Sequence, residues 1–393
     1  MILPPATLGV LGGGQLGRFF VMAAHELGYR VMVLDPDPHS PAGSIADQHI
    51  VADFTQNDAL ERMAQQCAAI TTEFENVPAD SLAYLAKFAP VHPAAAAVEI
   101  CQNRSREKGF LRRHGLPHAP YADILCESDI TGADAALFPG ILKVARFGYD
   151  GKGQTRVASR DEARLAFQRF KGEPCVLEAL LPLDLELSVV LARSEAGAEG
   201  NVVAFPAAQN LHRHGILDIS LVAADGEADP LAALKRRAKE MACEVAQRMD
   251  YVGTLGVEFF VVNGELSINE MAPRPHNSGH YTLDACVANQ FEQQVRAMTG
   301  LPLAVSHLHS AAAMVNLLGD VWYRQTSPTA RESAHEPDWS RLLAIPNLKL
   351  HLYGKQHARP GRKMGHFTVV GANLHEAQKS ALAARLAIGI TDD

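Results

Sequence analysis

Residues 7–11, Thr-Leu-Gly-Val-Leu, run straight into Gly12-Gly13-Gly14, and that junction dictates how the chain must begin. An uninterrupted apolar run of this length reads as a buried strand, and the glycines allow the tight turn that follows it. A helical pattern then spans Leu16 to Leu27 and is closed by Gly28, a residue suited to the left-handed position after a helix. Residues 30–35 form a second strand ending on Asp35, and a helix over 57–68, a strand over Ala68–Thr72 and a turn at Asn76-Val77-Pro78 continue the alternation. The first hundred residues are therefore expected to form a small doubly wound α/β domain.

A chain of 393 residues exceeds one ordinary core, so two or three domains are expected. Charged helix Arg104–His114 is broken by Gly115 and Pro117, and from about 137 strands separated by glycine-rich turns take over. Helices are expected near 161–170 and 230–249, strands over 175–193 and 202–206, and a hairpin over 253–270. Strands at 347–353 and 366–370 and a helix at 374–388 complete the tail. The formal net charge of −8, with no long basic run, argues against nucleic acid or an anionic membrane as the main partner. No run approaches the roughly 18 apolar residues of a membrane span. The six cysteines are scattered without metal-ligand spacing, as expected for buried thiols in a reducing compartment, so a cytoplasmic location is expected.

Gly12 to Gly17 also fits G-x-G-x-x-G, with Asp35 closing the next strand. That pattern opens the reading of an NAD-dependent oxidoreductase, because glycines let backbone amides approach an anion at a helix N-terminus. The same loop serves other phosphate-bearing ligands, or serves only as a strand-to-helix turn.

A second glycine loop points elsewhere. Lys143 ends a strand over Gly140–Val144, and Gly148, Tyr149, Asp150, Gly151, Lys152, Gly153 and Gln154 follow. Three glycines bracketed by lysines suit a flap over a polyphosphate, although no Walker A pattern is present. Further on, Glu258 and Glu270 lie near the ends of the hairpin strands, around the turn signal Asn263-Gly264. A two-residue turn pairs Glu258 with Asn269 and faces Glu270 away; a three-residue loop sets Glu258 opposite Glu270. The second register unites like charges and calls for a cation, for which hard oxygen ligands select Mg²⁺. Immediately after comes Met271-Ala272-Pro273-Arg274-Pro275-His276, where two prolines fix an extended, rigid backbone that presents an arginine and a histidine. Such a loop beside a metal carboxylate is suited to holding small oxyanions.

The runs NEMAPRPHNSGH (269–280), GYDGKGQ (148–154), GGGQLGR (12–18) and YGKQHARPGRKMGH (353–366) resemble, in order and over nearly the whole chain, the N5-carboxyaminoimidazole ribonucleotide synthases. The resemblance implies an α/β and α+β architecture, the ATP-grasp fold. An N-terminal Rossmann-like domain would span 1–103, the ATP-grasp domain 104–300 with its nucleotide lid at about 115–182, and a small C-terminal domain 301–393. It implies ATP-dependent carboxylation of 5-aminoimidazole ribonucleotide by bicarbonate through carboxyphosphate, with ATP as co-substrate, Mg²⁺, and a homodimer. Carried over by motif, Arg104, Lys143 and Gly148–Gln154 meet the ATP phosphates, and Glu178, Ala179, Leu180 and Leu181 form the adenine hinge. Glu186 takes the ribose, His212 and Asn269 lie beside the nucleotide, and Glu258 and Glu270 hold the metal. Arg274 and His276 are the catalytic candidates. Gly14, Gln15, Leu16, Glu73, Tyr149, Asp150, Lys355 and Arg362 fall to the ribonucleotide, the last two to its 5′-phosphate. Thr72 and Asn103 depart from the family pattern, tyrosine and aspartate being usual there, and read as tolerated drift. A catalytically silent nucleotide-binding protein is the remaining alternative; it would not need Glu258, Glu270, Arg274 and His276 together.

Overall fold

The computed structural model describes residues 1–146, 153–195, 201–224, 226–323 and 334–391. Its N-terminal sheet is parallel, in the order 48–50, 30–34, 7–11, 69–72, as the strand–glycine–helix opening requires. Helix Gln15–Glu26 buries Leu16, Phe19, Phe20 and Val21 against this sheet and also packs on helix Gln290–Thr299 through Phe291, Val295 and Met298. One core thus joins segments almost three hundred residues apart.

A small antiparallel sheet has the order 121–124, 175–179, 140–144, 154–157. The large sheet is antiparallel and runs 265–272, 253–262, 185–193, 208–213, 216–222, 311–318, 363–371, 348–352, with 202–204 beside 185–193. It continues without a break across residue 300, so the tail strands extend the central sheet.

Alternation along two of these strands sets the chemistry. Leu255, Val257, Phe259 and Val261, with Leu187, Val189 and Leu191, bury one face against Ala238, Ala242, Val245 and Ala246 of helix Ala232–Arg248. The period of two then places Glu258, Glu186 and Ser188 on the other face. Helix Arg104–Arg113 is held at its start by Asn103, whose side chain accepts from the Ser105 and Arg106 amides. Asn103 is thus a helix cap, a role its short side chain performs as well as aspartate. Thr72 likewise has structural work, donating from Oγ1 to the Leu11 and Phe74 carbonyls.

The six thiols are free, but burial does not extend to all: Cys126 is exposed at the N-terminus of helix Glu127–Gly132, and Cys101 and Cys243 are only partly buried. The expectation of uniformly buried cysteines is corrected accordingly; a polar turn beside Asp129 claims Cys126.

Candidate active site

The first glycine loop encloses a carboxylate of the protein itself. Glu73, just past strand Ala69–Thr72, accepts from the Gly14 amide at 2.7 Å and the Gly17 amide at 3.1 Å. A Cβ at position 17 would lie 2.7 Å from the Gly12 carbonyl oxygen, so the turn closes only around glycine. Asp35, the residue that would read a ribose in a nicotinamide enzyme, accepts instead from the Gly13 amide at 2.6 Å. Helix-terminal amides that a pyrophosphate would need are already taken. The oxidoreductase reading is overturned here: the sequence pattern is real, but its anion is internal.

The hairpin resolves its two alternatives by combining them. Asn263 and Gly264 form a two-residue turn, and Val262↔Glu265 through Phe259↔Ile268 keep that register. A bulge then leaves Asn269 as the extra residue, and Glu258 stands directly opposite Glu270. Burial, and then the Glu270 charge, push the Glu258 carboxyl up to about 7. Asn269 Nδ2 reaches Glu258 at 3.4 Å. Two facing carboxylates, with Glu258 raised in this way, form a hard-oxygen pair that fits a divalent ion.

A cationic group borders them. Lys143, Lys108 and Arg104 come from strand Gly140–Val144 and one face of helix Arg104–Arg113. Lys143 Nζ lies 3.1 Å and Lys108 Nζ 3.5 Å from the Glu178 carboxylate, and Arg104 Nη1 lies 3.5 Å from Glu270. Burial alone would push Glu178 up; the two ammonium groups reverse this and hold it below the ordinary carboxylate range. Lys143 itself is drawn down by burial and by the nearby Arg104 and Lys108 charges, despite Glu178. Cations crowded onto one carboxylate form a cradle that additional negative charge, such as a polyphosphate, would stabilise. Lys108 was missed from sequence, yet its spacing of one helical turn from Arg104 was the available signal. Glu107 was missed as well; it accepts from the Met271 amide at 2.6 Å, and burial pushes its carboxyl up to about 8.

At the segment expected to form the adenine hinge, the Ala179 and Leu180 amides donate to the Pro120 and Pro139 carbonyls, while the Glu178 side chain points to the lysines. Among the described residues no hydrogen bond engages the Leu181 amide, the hinge donor next in line. Glu186 lies 2.8 Å from His212 Nδ1; burial would lower this imidazole, but Glu186 and Glu258 raise it above its ordinary range. Gln154 begins the strand Gln154–Val157 paired with Gly140–Val144, Gly153 just before it accepts from the Val144 amide at 2.8 Å, and Gly148, Tyr149, Asp150, Gly151 and Lys152 lie outside the described residues.

Arg274 and His276 leave strand Glu265–Ala272 through the prolines. His276 lies against Gly256, where a Cβ would approach its Cβ to 2.7 Å. A buried chain positions its ring: Ser220 donates to Asn210, Asn210 to Ser188 and Ser188 to Ser278, which stands 2.8 Å from His276 Nδ1. The opposite nitrogen is 3.5 Å from Glu258. Burial, with Arg274 and Lys363 nearby, keeps this imidazole well below its ordinary range, so it is a neutral base at pH 7. Arg274 forks onto Glu75, Nη2 at 2.6 Å and Nε at 3.1 Å. Glu75 stands in the run Glu73-Phe74-Glu75-Asn76 that follows Thr72, but its pairing with Arg274, like the serine–asparagine chain, carries no sequence signal, because both depend on long-range packing.

Lys355 Nζ donates to Gln15 Oε1 and to the Lys363 carbonyl, both at 2.7 Å, so the tail strands reach the first glycine loop. Leu16 is core, and only its backbone faces that loop. Arg362 donates to the His357 carbonyl at 2.7 Å, and its guanidinium is lowered by burial and by Arg359.

Comparison with known proteins agrees along the whole chain. The ribonucleotide synthetase preATP-grasp domain family matches residues 5–102, the ATP-grasp domain family residues 109–291, and the phosphoribosylaminoimidazole carboxylase C-terminal domain family residues 312–380. N5-carboxyaminoimidazole ribonucleotide synthase of Brucella melitensis is 42% identical over 369 residues, covering 93% of this chain and 96% of that protein. An N5-carboxyaminoimidazole ribonucleotide synthetase solved as its ADP complex superposes with a TM-score of 0.87 at 38% identity, covering 98% of each chain. The Aspergillus clavatus N5-carboxyaminoimidazole synthase, solved with ADP and 5-aminoimidazole ribonucleotide, gives 0.85 at 30% identity over 98% of each chain.

Proposed function

The chain belongs to the N5-carboxyaminoimidazole ribonucleotide synthase family of ATP-grasp ligases, and on that premise we propose that it carboxylates the exocyclic amine of 5-aminoimidazole ribonucleotide with bicarbonate, converting ATP to ADP and phosphate in purine biosynthesis. The observation that carries the reading is Glu258 set opposite Glu270 between the cations Arg104, Lys108 and Lys143 and the pair Arg274 and His276.

Glu258 and Glu270 would hold Mg²⁺, which when bound neutralises phosphate charge. Lys143, Arg104 and the loop 148–154 orient the triphosphate, Leu181 and its neighbours take the adenine, and Glu186 takes the ribose. Arg274 holds bicarbonate by its planar fork while a bicarbonate oxygen attacks the γ-phosphorus and ADP leaves. The substrate amine then attacks the carboxyl carbon of carboxyphosphate, or CO₂ released from it, and phosphate departs. The amine sheds a proton in this step, and neutral His276 is the base placed to receive it. Lys355 and Arg362 pair with the ribonucleotide 5′-phosphate, while Gly14, Gln15 and Glu73 shape the adjoining wall.

The divisions 1–103, 104–300 and 301–393 accompany this proposal, as do a homodimer and a cytoplasmic setting, both resting on the family likeness. Among the described residues no helix is long and apolar enough to cross a membrane. The test is ADP release with Mg²⁺. It is expected to rise only when both 5-aminoimidazole ribonucleotide and bicarbonate are supplied, with N5-carboxylated product formed in equal amount. ATP hydrolysis indifferent to both substrates would leave a nucleotide-binding protein in its place.

A further inference from the structure

Three imidazoles stack in a cluster that shares no residue with the facing glutamates. His351, on edge strand Leu348–Leu352, pairs in register with His366 on strand Lys363–Gly371, so both side chains share a face. Their ring centroids are 4.6 Å apart at 18°, and His280 stacks on the other side of His366, also at 4.6 Å. Asp284, in the short helix after His280, meets His351 Nε2 at 2.9 Å. Donor atoms of Asp284, His351 and His366 all lie within 4.8 Å of one another.

A histidine–aspartate pair beside core imidazoles would account for part of this arrangement, but it leaves the Nε2 atoms of His280 and His366 unexplained, and only the second belongs to a group of metal-binding type. His366 is fully buried, and its Nδ1 is 2.9 Å from the Tyr353 hydroxyl, yet its Nε2 has no hydrogen-bond partner. An unmet buried polar atom costs about 1–3 kcal/mol, so it calls for a ligand. With Tyr353 accepting from Nδ1–H, the Nε2 lone pair is the one left to give.

We propose that Asp284, His351 and His366 form a Zn²⁺ site separate from the facing glutamates. Two imidazoles and a carboxylate select zinc over the hard cations Mg²⁺ and Ca²⁺, which prefer all-oxygen sites. Tetrahedral zinc with bonds of about 2.0–2.1 Å sets its donors roughly 3.4 Å apart. The 2.9 Å aspartate–histidine contact and the 4.8 Å outer limit bracket that spacing, and the stacked His351 ring would have to tilt out of its 18° alignment for both imidazole lone pairs to reach one ion. Tyr353 is the outer partner that fixes the His366 ring. Such an ion would clamp the segment following His276 to the hairpin that carries Lys355 and Arg362, holding both substrate-facing parts in one geometry.

The experiment uses the full chain stripped of metal with a chelator and titrated with Zn²⁺ against a chromophoric competitor. The Glu258→Gln, Glu270→Gln double variant serves as background, to silence the glutamate pair. One equivalent of Zn²⁺ is expected, with a rise in thermal midpoint. His351→Gln and Asp284→Asn, neither of which removes a fully buried side chain, are expected to keep the parent circular dichroism. Each should lose more affinity than the roughly 10- to 100-fold typical of an outer-sphere change. Equal Zn²⁺ affinity in the background chain and in His351→Gln, or no bound Zn²⁺, would overturn the site. Neither result bears on ligase turnover.

Discussion

Arg274 closes its guanidinium on Glu75, joining the proline-stiffened loop of the ATP-binding domain to the loop that follows the last N-terminal strand. An arginine suited to a planar oxyanion is thus held by an internal carboxylate, which bicarbonate would have to displace or share if it binds at Arg274 as proposed. Replacing Glu75 with glutamine removes the competing charge and keeps the shape. If the competition is worth about 1 kcal/mol, KM for bicarbonate falls roughly fivefold, with KM for ATP unchanged. Steady-state kinetics against bicarbonate checks this; a higher KM would mean that Glu75 aims Arg274 and does not compete for it. Arg274→Lys loses the fork and should lower kcat with Glu75 in place.

The raised Glu258 carboxyl gives the proposed metal site a pH dependence of known sign. Its folded pKa of about 7 exceeds the ordinary 4.5, so in the ligand-free chain this group stabilises most below pH 4.5. That contribution is lost as pH rises to about 7. If the pair holds Mg²⁺ as proposed, the metal requires its ionised form, so proton and metal compete. Apparent Mg²⁺ affinity at saturating nucleotide should therefore fall about tenfold per pH unit below about 7 and level off above it. Thermal shift on adding Mg²⁺ and ADP, measured from pH 6 to 8, is the readout, and a flat profile would refute the competition. Glu270→Gln, which removes the second charge, should move the break to lower pH and reduce turnover below about 1%.

Much of this architecture was legible because it is local. The strand–glycine–helix opening, helix Arg104–Arg113 and the turn at Asn263-Gly264 follow from patterns within a few residues of one another. The register at Glu258 was not, because the bulge at Asn269 answers to what surrounds the strand end. The Met271 amide goes to Glu107 and the Asn269 carbonyl to Lys108, both from a helix more than 160 positions earlier. The first glycine loop misled for the same reason. Its spacing told truly of a helix terminus that binds an anion, but nothing near residue 17 announces that the anion is Glu73. The family resemblance supplied the activity, which neither periodicity nor composition could.

Glu73 also makes a stability prediction. Its carboxylate satisfies two buried amides, and its removal in Glu73→Ala leaves the Gly14 and Gly17 donors unmet at the start of a core helix. At about 1–3 kcal/mol for each unmet group, a loss of at least about 2 kcal/mol is expected, visible as a lower urea midpoint. Glu73→Gln retains an acceptor oxygen and should lose less. An unchanged midpoint in the alanine variant would show that the loop holds without its internal anion.

Arg362 provides the most selective test of where the ribonucleotide sits. Its guanidinium lies close enough to Arg359 for the two charges, together with burial, to lower it, with Asp37 opposing. Two cations near Lys355 and the first glycine loop would be relieved by a phosphate dianion, and a charge-assisted contact of this kind is worth about 1.5–3 kcal/mol. Arg362→Ala should then raise KM for 5-aminoimidazole ribonucleotide roughly ten- to hundredfold while KM for ATP stays as it was. The substitution also frees the His357 carbonyl, which its side chain now holds at 2.7 Å, so loop disorder is a competing cause of any loss. Arg362→Lys separates the two: a phosphate role predicts partial recovery of ribonucleotide affinity from the retained charge, whereas lost loop order predicts none. Equal KM values for ribonucleotide in Arg362→Ala and the parent would move the phosphate to another part of the cleft.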